Sequence, residues 1–331
     1  MKETGLSRAA VTGQASPPKA PVPKWHFELG KSFIPPDDVK KLQTKMYLFH
    51  GWYMVQASKG RKMFGCRVKD EDFFNGDDTI WLEFKDIYEV YQRDALDMSL
   101  IQTWVLLSIQ RCRRELIFDV GFMDPSKINR DMIYRDPEGT YQNLFKYVDR
   151  KNYMDSILLS YHYGYHWVLT LLNPDRGVVN VFDLLRKPQE EYQEIIDMFT
   201  RMWNEIREKH PGFVYEKLVW NTEFPCAQQG PDNNLCGYYV CEYMHSWIKK
   251  TFTHHDIMMM TISSRSLEQH KIDAVAEQLI GFIWDEIINV KGEFHYDDAW
   301  EATDTSSLRS STARPSSSAR PSSSARPSAG S

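Results

Sequence analysis

The sequence predicts an α+β fold, because a group of strand patterns is followed by a group of helix patterns. Residues 156–159, 167–172 and 178–182 are short apolar runs separated by turn residues, which is typical of neighbouring β-strands. Apolar residues then recur at helical spacing over 192–206, and this pattern stops at His210-Pro211-Gly212. A doubly wound sheet would require strands and helices in regular alternation, which this region lacks.

Weaker patterns predict four further elements: a buried helix over residues 98–113, a short strand over 217–220, a helix that begins at Cys236-Gly237, and a last helix from Ser266. Gln269, three residues after Ser266, would complete a capping box. The buried stripe of the last helix is expected to be Ile272, Val275, Ala276, Leu279, Ile283 and Ile287. Residues 38–65 show a mixed pattern that predicts no definite element.

Both ends of the chain differ in composition from the middle. Residues 1–24 are rich in Pro, Ser, Ala and Lys, and we expect them to be disordered. Near the other end, Ala313-Arg314-Pro315 begins a six-residue repeat that recurs twice with serines between the copies. A segment of this kind cannot bury a core, so an extended tail is expected over residues 293–331.

Charge, hydropathy and cysteine content exclude several classes of protein. The net charge of −5 argues against a general nucleic-acid binder, and no apolar run is long enough to span a membrane. The segment from Met1 to Pro23 lacks the apolar core that a secretory signal requires. Five cysteines in 331 residues do not form a disulfide framework. We therefore expect a reducing compartment, the nucleus or the cytosol, where a thiol stays reduced.

Four side chains in the middle of the chain have the chemistry that a thiol hydrolase needs. Cys236 precedes Gly237 at a predicted helix start, where free amides and the helix dipole favour the thiolate. His166 begins one predicted strand and Asp183 ends a neighbouring one, so imidazole and carboxylate can meet. Gln229 lies in a Gly-Pro loop, from which a side-chain amide can face a developing oxyanion.

Each of these residues also has a structural interpretation. Free cysteines are most often buried small groups, which we expect for the other four: Cys66, Cys112, Cys226 and Cys241. His162 lies four residues before His166 and competes with it as the base. Gln228 competes with Gln229 in the same way. Trp167, which follows His166, and the strand that His166 opens favour His166, and the length of the stretch before Cys236 favours Gln229.

Metal and cofactor sites are not predicted. His254-His255-Asp256 could hold part of a metal site, but no second cluster has ligand spacing, so a surface turn is expected. The run Met258-Met259-Met260 is expected to pack in a core. The chain has no P-loop, no dinucleotide-binding fingerprint and no Gly-x-Ser-x-Gly elbow.

Taken together, these residues resemble the SUMO-specific cysteine proteases, the Ulp/SENP family. The resemblance rests on the chain order His166-Trp167, Asp183, Gln229, Cys236-Gly237. This order is the reverse of papain's, so the implied fold is a permuted papain-like proteinase fold with a central mixed sheet flanked by helices. The phrase around Cys236-Gly237 looks like the plant, transposon-associated branch of the family. The implied protease domain covers residues 81–292, after a family-associated extension over 25–80.

The resemblance also implies a role for each site residue. His166 is the general base, Asp183 orients it, Cys236 is the nucleophile and Gln229 is the oxyanion donor. Trp167 would wall a narrow tunnel that admits the Gly-Gly tail of the modifier, since only glycine is thin enough to pass. The remaining substrate-binding positions that it implies are Asp97 and Gly237. The implied partners are SUMO or a related ubiquitin-like modifier and its conjugates. The protein itself is expected to be a monomer.

Two positions differ from the family's pattern and favour an alternative. Ala95, in Ala95-Leu96-Asp97-Met98, stands where the family has a tunnel tryptophan, and Leu235 stands where it has an aspartate. The alternative is a catalytically weak or inactive modifier-binding module derived from a transposon-borne protease. A protease for ubiquitin or another ubiquitin-like protein is a third hypothesis.

Overall fold

The computed structural model describes residues 26–68, 73, 78–212, 215–230, 233–248 and 266–296. The chain divides into two units, Met1–Tyr296 and Asp297–Ser331, and every described residue belongs to the first unit. Several predictions fall outside the described residues: the disordered start over 1–24, the His254-His255-Asp256 turn, the Met258-Met259-Met260 run, and residues 297–331 of the tail.

The described elements, in chain order, are α1 (Pro36–Val39), α2 (Thr44–Ser58), β1 (Met63–Val68), β2 (Asp78–Glu83), α3 (Phe84–Gln92), α4 (Met98–Arg114), β3 (Val120–Phe122), α5 (Arg130–Arg135), α6 (Pro137–Lys151), β4 (Ser156–Tyr163), β5 (His166–Asn173), β6 (Val178–Phe182), α7 (Gln193–Lys209), β7 (Val219–Asn221), α8 (Cys236–Ile248) and α9 (Gln269–Phe282). Two 3₁₀ turns occur at Pro174–Arg176 and Gln189–Tyr192, and a π-helical turn, Ile283–Ile288, continues α9.

A five-stranded mixed sheet lies at the centre, in the order β3-β4-β5-β6-β7. The pairs β4–β5 and β5–β6 are antiparallel, whereas β3–β4 and β6–β7 are parallel. Gly164 makes the β4–β5 turn with a φ of 61°, a left-handed conformation that glycine adopts without strain. The predicted α+β class, with a central mixed sheet flanked by helices and the chain order His, Asp, Cys, is confirmed.

The two faces of this sheet bury two separate apolar cores, because alternate side chains of a strand point to opposite faces. One core contains Leu158, Leu169 and Phe182, together with residues of α4, α8 and α9. The other contains Leu159 and Val168 with residues of α6 and α7. The sheet is thus covered by helices on both faces, and its β4–β5 end is left for the candidate site.

The first part of the described chain packs onto the same core as α4 and α8. In the antiparallel pair β1–β2, Met63 lies opposite Glu83. This pair therefore crosses the boundary that was predicted between the extension (25–80) and the protease domain (81–292). Phe33 stacks on Tyr53 of α2, with ring centroids 3.8 Å apart. At the other end, the carbonyl of the buried Phe294 accepts a hydrogen bond from the Arg67 N–H at 2.9 Å. The packed chain therefore extends past residue 292, at which the tail was predicted to follow.

Most of the elements predicted by periodicity are confirmed, one predicted cap is wrong, and one helix lies where no definite element was predicted. In α2, the side chains of Met46, Phe49 and Tyr53 are buried, whereas those of Tyr47 and Leu48 are exposed. Because apolar residues occur on both faces, the sequence does not show which face is buried. The capping box at Ser266 is wrong, because α9 begins at Gln269 with Glu268 at its N-cap. The N–H of Leu267 instead donates to the Tyr239 hydroxyl at 2.8 Å, which fixes an extended segment onto α8. The predicted buried stripe of α9 is confirmed.

Candidate active site

His166 and Asp183 form a buried hydrogen-bonded pair at one end of the sheet. Strands β5 and β6 are antiparallel with Leu169 opposite Phe182, so the start of β5 lies beside the end of β6. His166 Nε2 lies 2.9 Å from Asp183 Oδ1. His166 is 7% exposed and Asp183 is fully buried. Water therefore does not compete for this hydrogen bond, and a buried charge pair of this kind is typical of functional sites.

Backbone amides hold the Asp183 carboxylate in one orientation. Oδ1 accepts from the Leu185 N–H at 3.0 Å, and Oδ2 accepts from the Lys187 N–H at 2.8 Å. The turn after β6 thus binds both carboxylate oxygens while Oδ1 also faces the imidazole. Because both oxygens accept hydrogen bonds, the site suits a carboxylate better than an amide of the same shape, whose NH₂ cannot accept.

The thiol of Cys236 lies beside the same imidazole. Cys236 is the first residue of α8, and its side chain hydrogen bonds with His166. Burial lowers the pKa of His166, but the hydrogen bonds with Asp183 and Cys236 outweigh burial and raise the pKa to about 9. Since Nε2 faces Asp183, Nδ1 is the nitrogen left for the thiol. The structure therefore brings together three residues that the sequence predicted as one site.

The competing histidine has a different environment. His162, opposite Trp167 in the β4–β5 pair, packs its ring on the indole with centroids 4.5 Å apart. Burial lowers the pKa of His162. Its neutral imidazole lines an open cleft together with Trp167, whereas the Asp183 carboxylate faces His166. These contacts favour His166 as the base.

This open cleft leads from solvent to the thiol. Its lining includes Cys236, Trp167, Leu96 and Asp97, all at the β4–β5 end of the sheet. The Trp167 indole donates to the Leu96 carbonyl at 3.1 Å, which fixes the buried ring beside the segment before α4. Asp97 is the N-cap of α4 and accepts from the Ser99 N–H at 3.4 Å. The predicted substrate-binding residues Trp167 and Asp97 thus lie in the same cleft as the nucleophile.

Gly237 allows α8 to approach the segment that walls this cleft. A Cβ atom on Gly237 would lie 2.8 Å from the Leu96 Cβ, which is closer than side-chain packing permits. Leu96 is itself buried and fixed by its bond to Trp167. A glycine after the nucleophile is therefore required by packing between α8 and the cleft wall, a reason that the sequence did not show.

We expect Gly237→Ala to lower both stability and activity. The added methyl would push Leu96 and the start of α8 apart, at a cost of about 1–3 kcal/mol in the free energy of unfolding. Because Cys236 begins this helix, kcat/KM should fall by about tenfold or more. Urea unfolding and turnover of a reporter substrate measure the two effects. Gly281→Ala in α9 is the matched control, since a Cβ there meets only Lys45 Cγ at 3.9 Å.

Carboxylates dominate the rest of the cleft lining: Asp86, Glu89, Asp94, Asp97 and Asp131. Lys85 is the lysine among the lining residues. Burial and the neighbouring Asp97 and Glu83 raise the pKa of Asp86 to about 7. The cleft therefore presents a negative potential to a ligand. Sequence patterns do not reveal this potential, because the carboxylates come from separate segments.

Gln229, the predicted oxyanion donor, is oriented differently from the expectation. Its side-chain Nε2 donates to the Asn233 carbonyl, and its backbone N–H donates to the Leu184 carbonyl at 3.2 Å. Gln229 Oε1 is buried without a hydrogen-bond partner among the described residues. Asn234 lines the cleft instead, and its amide donates to Asp94 Oδ1 at 3.0 Å. The assignment of Gln229 stays a prediction.

The other four cysteines are free, buried thiols. Burial raises the pKa of Cys112 and of Cys226 to about 12, and it also raises the pKa of Cys66 and of Cys241 well above the ordinary value of a thiol. Cys226 is the one among them that contacts the site, through a 3.4 Å hydrogen bond from its thiol to the Asp183 carbonyl. The environment of these thiols fits the structural roles predicted for them.

No group of histidine, cysteine, aspartate and glutamate side chains within the described residues is arranged to hold a metal ion. Across the same residues, no helix combines the length and apolar character needed to cross a bilayer.

No protein-family model matches the chain, and a search of curated proteins found no match. Solved structures give matches at low identity. A de-sumoylating protease is 15% identical with a TM-score of 0.45, over 66% of this chain and 93% of that one. The C-terminal Ulp1 protease domain, solved with the yeast SUMO orthologue Smt3, is 14% identical with a TM-score of 0.45, over 77% and 97%.

A third similar structure comes from a bacterium. The Chlamydia trachomatis effector Cdu1, solved bound to ubiquitin, is 13% identical with a TM-score of 0.35, over 58% of this chain and 91% of that one. The plant, transposon-associated branch is not tested by these structures and stays a prediction from the sequence. A function for this chain therefore has to rest on the geometry of its site, and not on these similarities.

Proposed function

We propose that this chain is a cysteine-type peptidase or isopeptidase that cleaves after the C-terminal Gly-Gly of SUMO or a related ubiquitin-like modifier, in deconjugation or precursor processing. The carrying observation is the buried His166–Asp183 hydrogen bond of 2.9 Å together with the hydrogen bond between the imidazole and the Cys236 side chain. This arrangement opens into a cleft that a peptide can enter. We further propose a monomer in the nucleus or cytosol, where reducing conditions preserve the thiol.

The geometry supports acyl transfer through a thioester. His166 accepts the proton of Cys236, and the thiolate attacks the carbonyl carbon of the last glycine. When the tetrahedral intermediate collapses, the bond to the leaving nitrogen breaks, and His166 gives its proton to that nitrogen. Water then attacks the thioester with His166 as the base and releases the free modifier and Cys236. Asp183 stabilises the imidazolium that is present between these proton transfers.

Backbone amides at the start of α8 support oxyanion stabilisation. The first N–H groups of a helix have no partner within the helix, and those of Cys236 and Gly237 lie next to the sulfur. The helix dipole favours negative charge at the same place. These donors support catalysis without the amide of Gln229, which donates elsewhere.

The cleft walls support a preference for a thin, extended tail. Trp167 and Leu96 are buried and fixed to one another beside the thiol, so the wall next to Cys236 cannot move aside at low cost. A glycine has no side chain to meet this wall. The carboxylates of the cleft lining, including Asp86 and Asp131, support a modifier whose surface around the tail is positively charged.

Electrophile capture tests the proposal. Wild-type protein should react covalently with at least one of a set of C-terminal electrophile probes built on SUMO, related modifiers and ubiquitin, and Cys236→Ala should react with none. Cys226→Ser is the matched control, because Cys226 is a buried thiol beside the same aspartate and should not be needed for capture. Gel shift and intact mass measure the adduct, and the reactive probe identifies the modifier.

Two outcomes would contradict this function. Hydrolysis of a modifier–reporter fusion by Cys236→Ala at the wild-type rate would exclude Cys236 as the nucleophile. If folded wild-type protein bound a modifier but no probe captured it, the alternative of an inactive modifier-binding module would be favoured. The orientation of Gln229 and the alanine at position 95 are the observations that motivate that alternative.

A further inference from the structure

A second surface, away from the cleft, has an apolar cavity that is open to solvent. It has a volume of about 270 Å³ and lies between the end of α4 and the start of β4, where Ile117, Phe118 and Phe122 line it. Phe118 and Tyr153 at its rim are 66% and 67% exposed, and Leu116, next to Ile117 in the chain, is 73% exposed. A cluster of exposed apolar side chains around a cavity is typical of an interaction site.

The turn that carries Leu116 is strained. Leu116 has a φ of 57°, in the left-handed region that favours glycine, and it follows the last residues of α4. The Ile117 N–H closes this turn by donating to the Cys112 carbonyl at 2.8 Å. A leucine is less stable than glycine in this conformation, because its Cβ crowds the following carbonyl oxygen. Because the side chain is exposed, its burial within this chain does not offset the cost.

Basic side chains lie in the lining of this cavity and on the surface beside it. Arg113 and Lys151 line it, and Lys146 and Arg150 lie on the adjoining surface of α6. Arg113 pairs with Glu293, whereas Lys146 and Arg150 form no ion pair with any described residue. This positive rim contrasts with the net charge of −5 of the chain and with the acidic cleft. It is complementary to an acidic ligand.

The edge of the sheet here favours side-chain insertion over strand addition. β3 is the terminal strand in the order of the five-stranded sheet. The Tyr147 hydroxyl accepts from the Phe122 N–H at 2.7 Å, so this N–H of the open edge is already bonded. A ligand therefore gains more from filling the cavity than from pairing with the backbone of β3.

The cavity and the candidate active site lie at opposite ends of the same elements. α4 begins next to Asp97 in the cleft and ends at Arg114 beside the cavity, and its 17 residues make it about 25 Å long. β4 begins near the cavity at Ser156 and ends near the cleft at Tyr163. A ligand in the cavity would therefore leave the thiol accessible.

We propose that this surface, the docking groove formed by Leu116, Phe118, Tyr153, Lys146, Arg150 and Lys151, binds an acidic segment of a partner protein that inserts one large apolar side chain. The cavity takes the apolar side chain, and the basic rim contacts carboxylates on both sides of it. This site goes beyond the proposed hydrolase function and does not depend on it.

Fluorescence anisotropy with the full chain tests the docking groove. The probe is a labelled synthetic peptide with one tryptophan between two pairs of glutamates. Wild-type protein should bind it, and affinity should fall as salt rises. Phe118→Ser and the double variant Lys146→Glu/Arg150→Glu should each weaken binding by about tenfold or more. Leu116→Gly should weaken binding while it raises the melting temperature, since glycine relieves the strained turn.

Matched controls separate the groove from general surface effects. Val55→Ser removes an exposed apolar side chain elsewhere, and Lys40→Glu/Lys59→Glu reverses two exposed charges elsewhere. Both should bind the peptide as wild type does. Cys236→Ala should also bind it normally, so a failure of the hydrolase proposal would leave this test intact.

Three results would overturn the docking proposal. The first is the absence of peptide binding by folded wild-type protein. The second is equal binding of a peptide in which alanine replaces the tryptophan, which would show that charge alone accounts for the binding. The third is self-association in sedimentation that Phe118→Ser abolishes while no peptide binds, which would assign the groove to a second copy of the chain.

Discussion

Replacing His166 with alanine should lower kcat/KM for a modifier–reporter fusion by about 10⁴-fold or more. The imidazole both accepts the proton of Cys236 and returns it to the leaving nitrogen, so its removal stops two steps. The measurement is single-turnover and steady-state hydrolysis at several substrate concentrations. Because members of such a constellation act as a unit, the double variant His166→Ala/Cys236→Ala should be little worse than either single variant.

His162→Ala is the matched control for this prediction. His162 is a second histidine in the same cleft, four residues away, whose ring packs on Trp167 while Asp183 faces His166. Its loss should weaken substrate binding through Trp167 and lower kcat/KM by about tenfold or less. If His162→Ala were the more damaging change, the assignment of the base would have to be reversed.

Asp183→Asn should lower kcat/KM by about 10³–10⁴-fold and change the pH profile. Both carboxylate oxygens accept hydrogen bonds from backbone amides, so the NH₂ of asparagine must face a donor wherever it points. The carboxylate also favours the imidazolium and contributes to the raised pKa of His166, which is about 9. Without it the pKa of His166 falls.

The sign of the pH effect follows from this change. Activity needs His166 to hold a proton for the leaving nitrogen, so the wild-type rate should fall as pH rises through about 9. In Asp183→Asn this alkaline limb should move to lower pH. Asp131→Asn, a change at another carboxylate of the cleft, should leave the limb in place. An alkaline limb that did not move in Asp183→Asn would show that Asp183 does not control the proton on His166.

The sheet and α7 were predictable because their signals are local. β6 occupies the predicted residues 178–182, and α7 ends at His210 with the Pro-Gly pair beyond it. α2 was not predictable, because exposed Tyr47 and Leu48 obscure its apolar face. The start of α9 depends on a tertiary contact, since the Tyr239 hydroxyl holds Leu267 in an extended segment before the helix.

The reacting groups of the site were predictable and the walls were not. His166, Asp183 and Cys236 each stand at the end of an element, where a polar side chain can be recognised from its apolar neighbours. The Leu96 carbonyl accepts the Trp167 hydrogen bond, and the Leu96 side chain occupies the space that a side chain at position 237 would need. An apolar residue in a loop carries no sequence signal of such a role. The side-chain bond of Gln229 to Asn233 depends on the loop conformation, which spacing does not determine.

The unequal environments of the five thiols decide what oxidation would do to this molecule. Cys66, Cys112, Cys226 and Cys241 are buried and protonated, so peroxide reacts with them slowly. Cys236 is buried to a similar degree, so burial does not distinguish it from the others; the base His166 beside its sulfur does. An oxidant would therefore convert this sulfur to a sulfenic acid before it reaches the core, and the chain would lose its chemistry while it kept its fold.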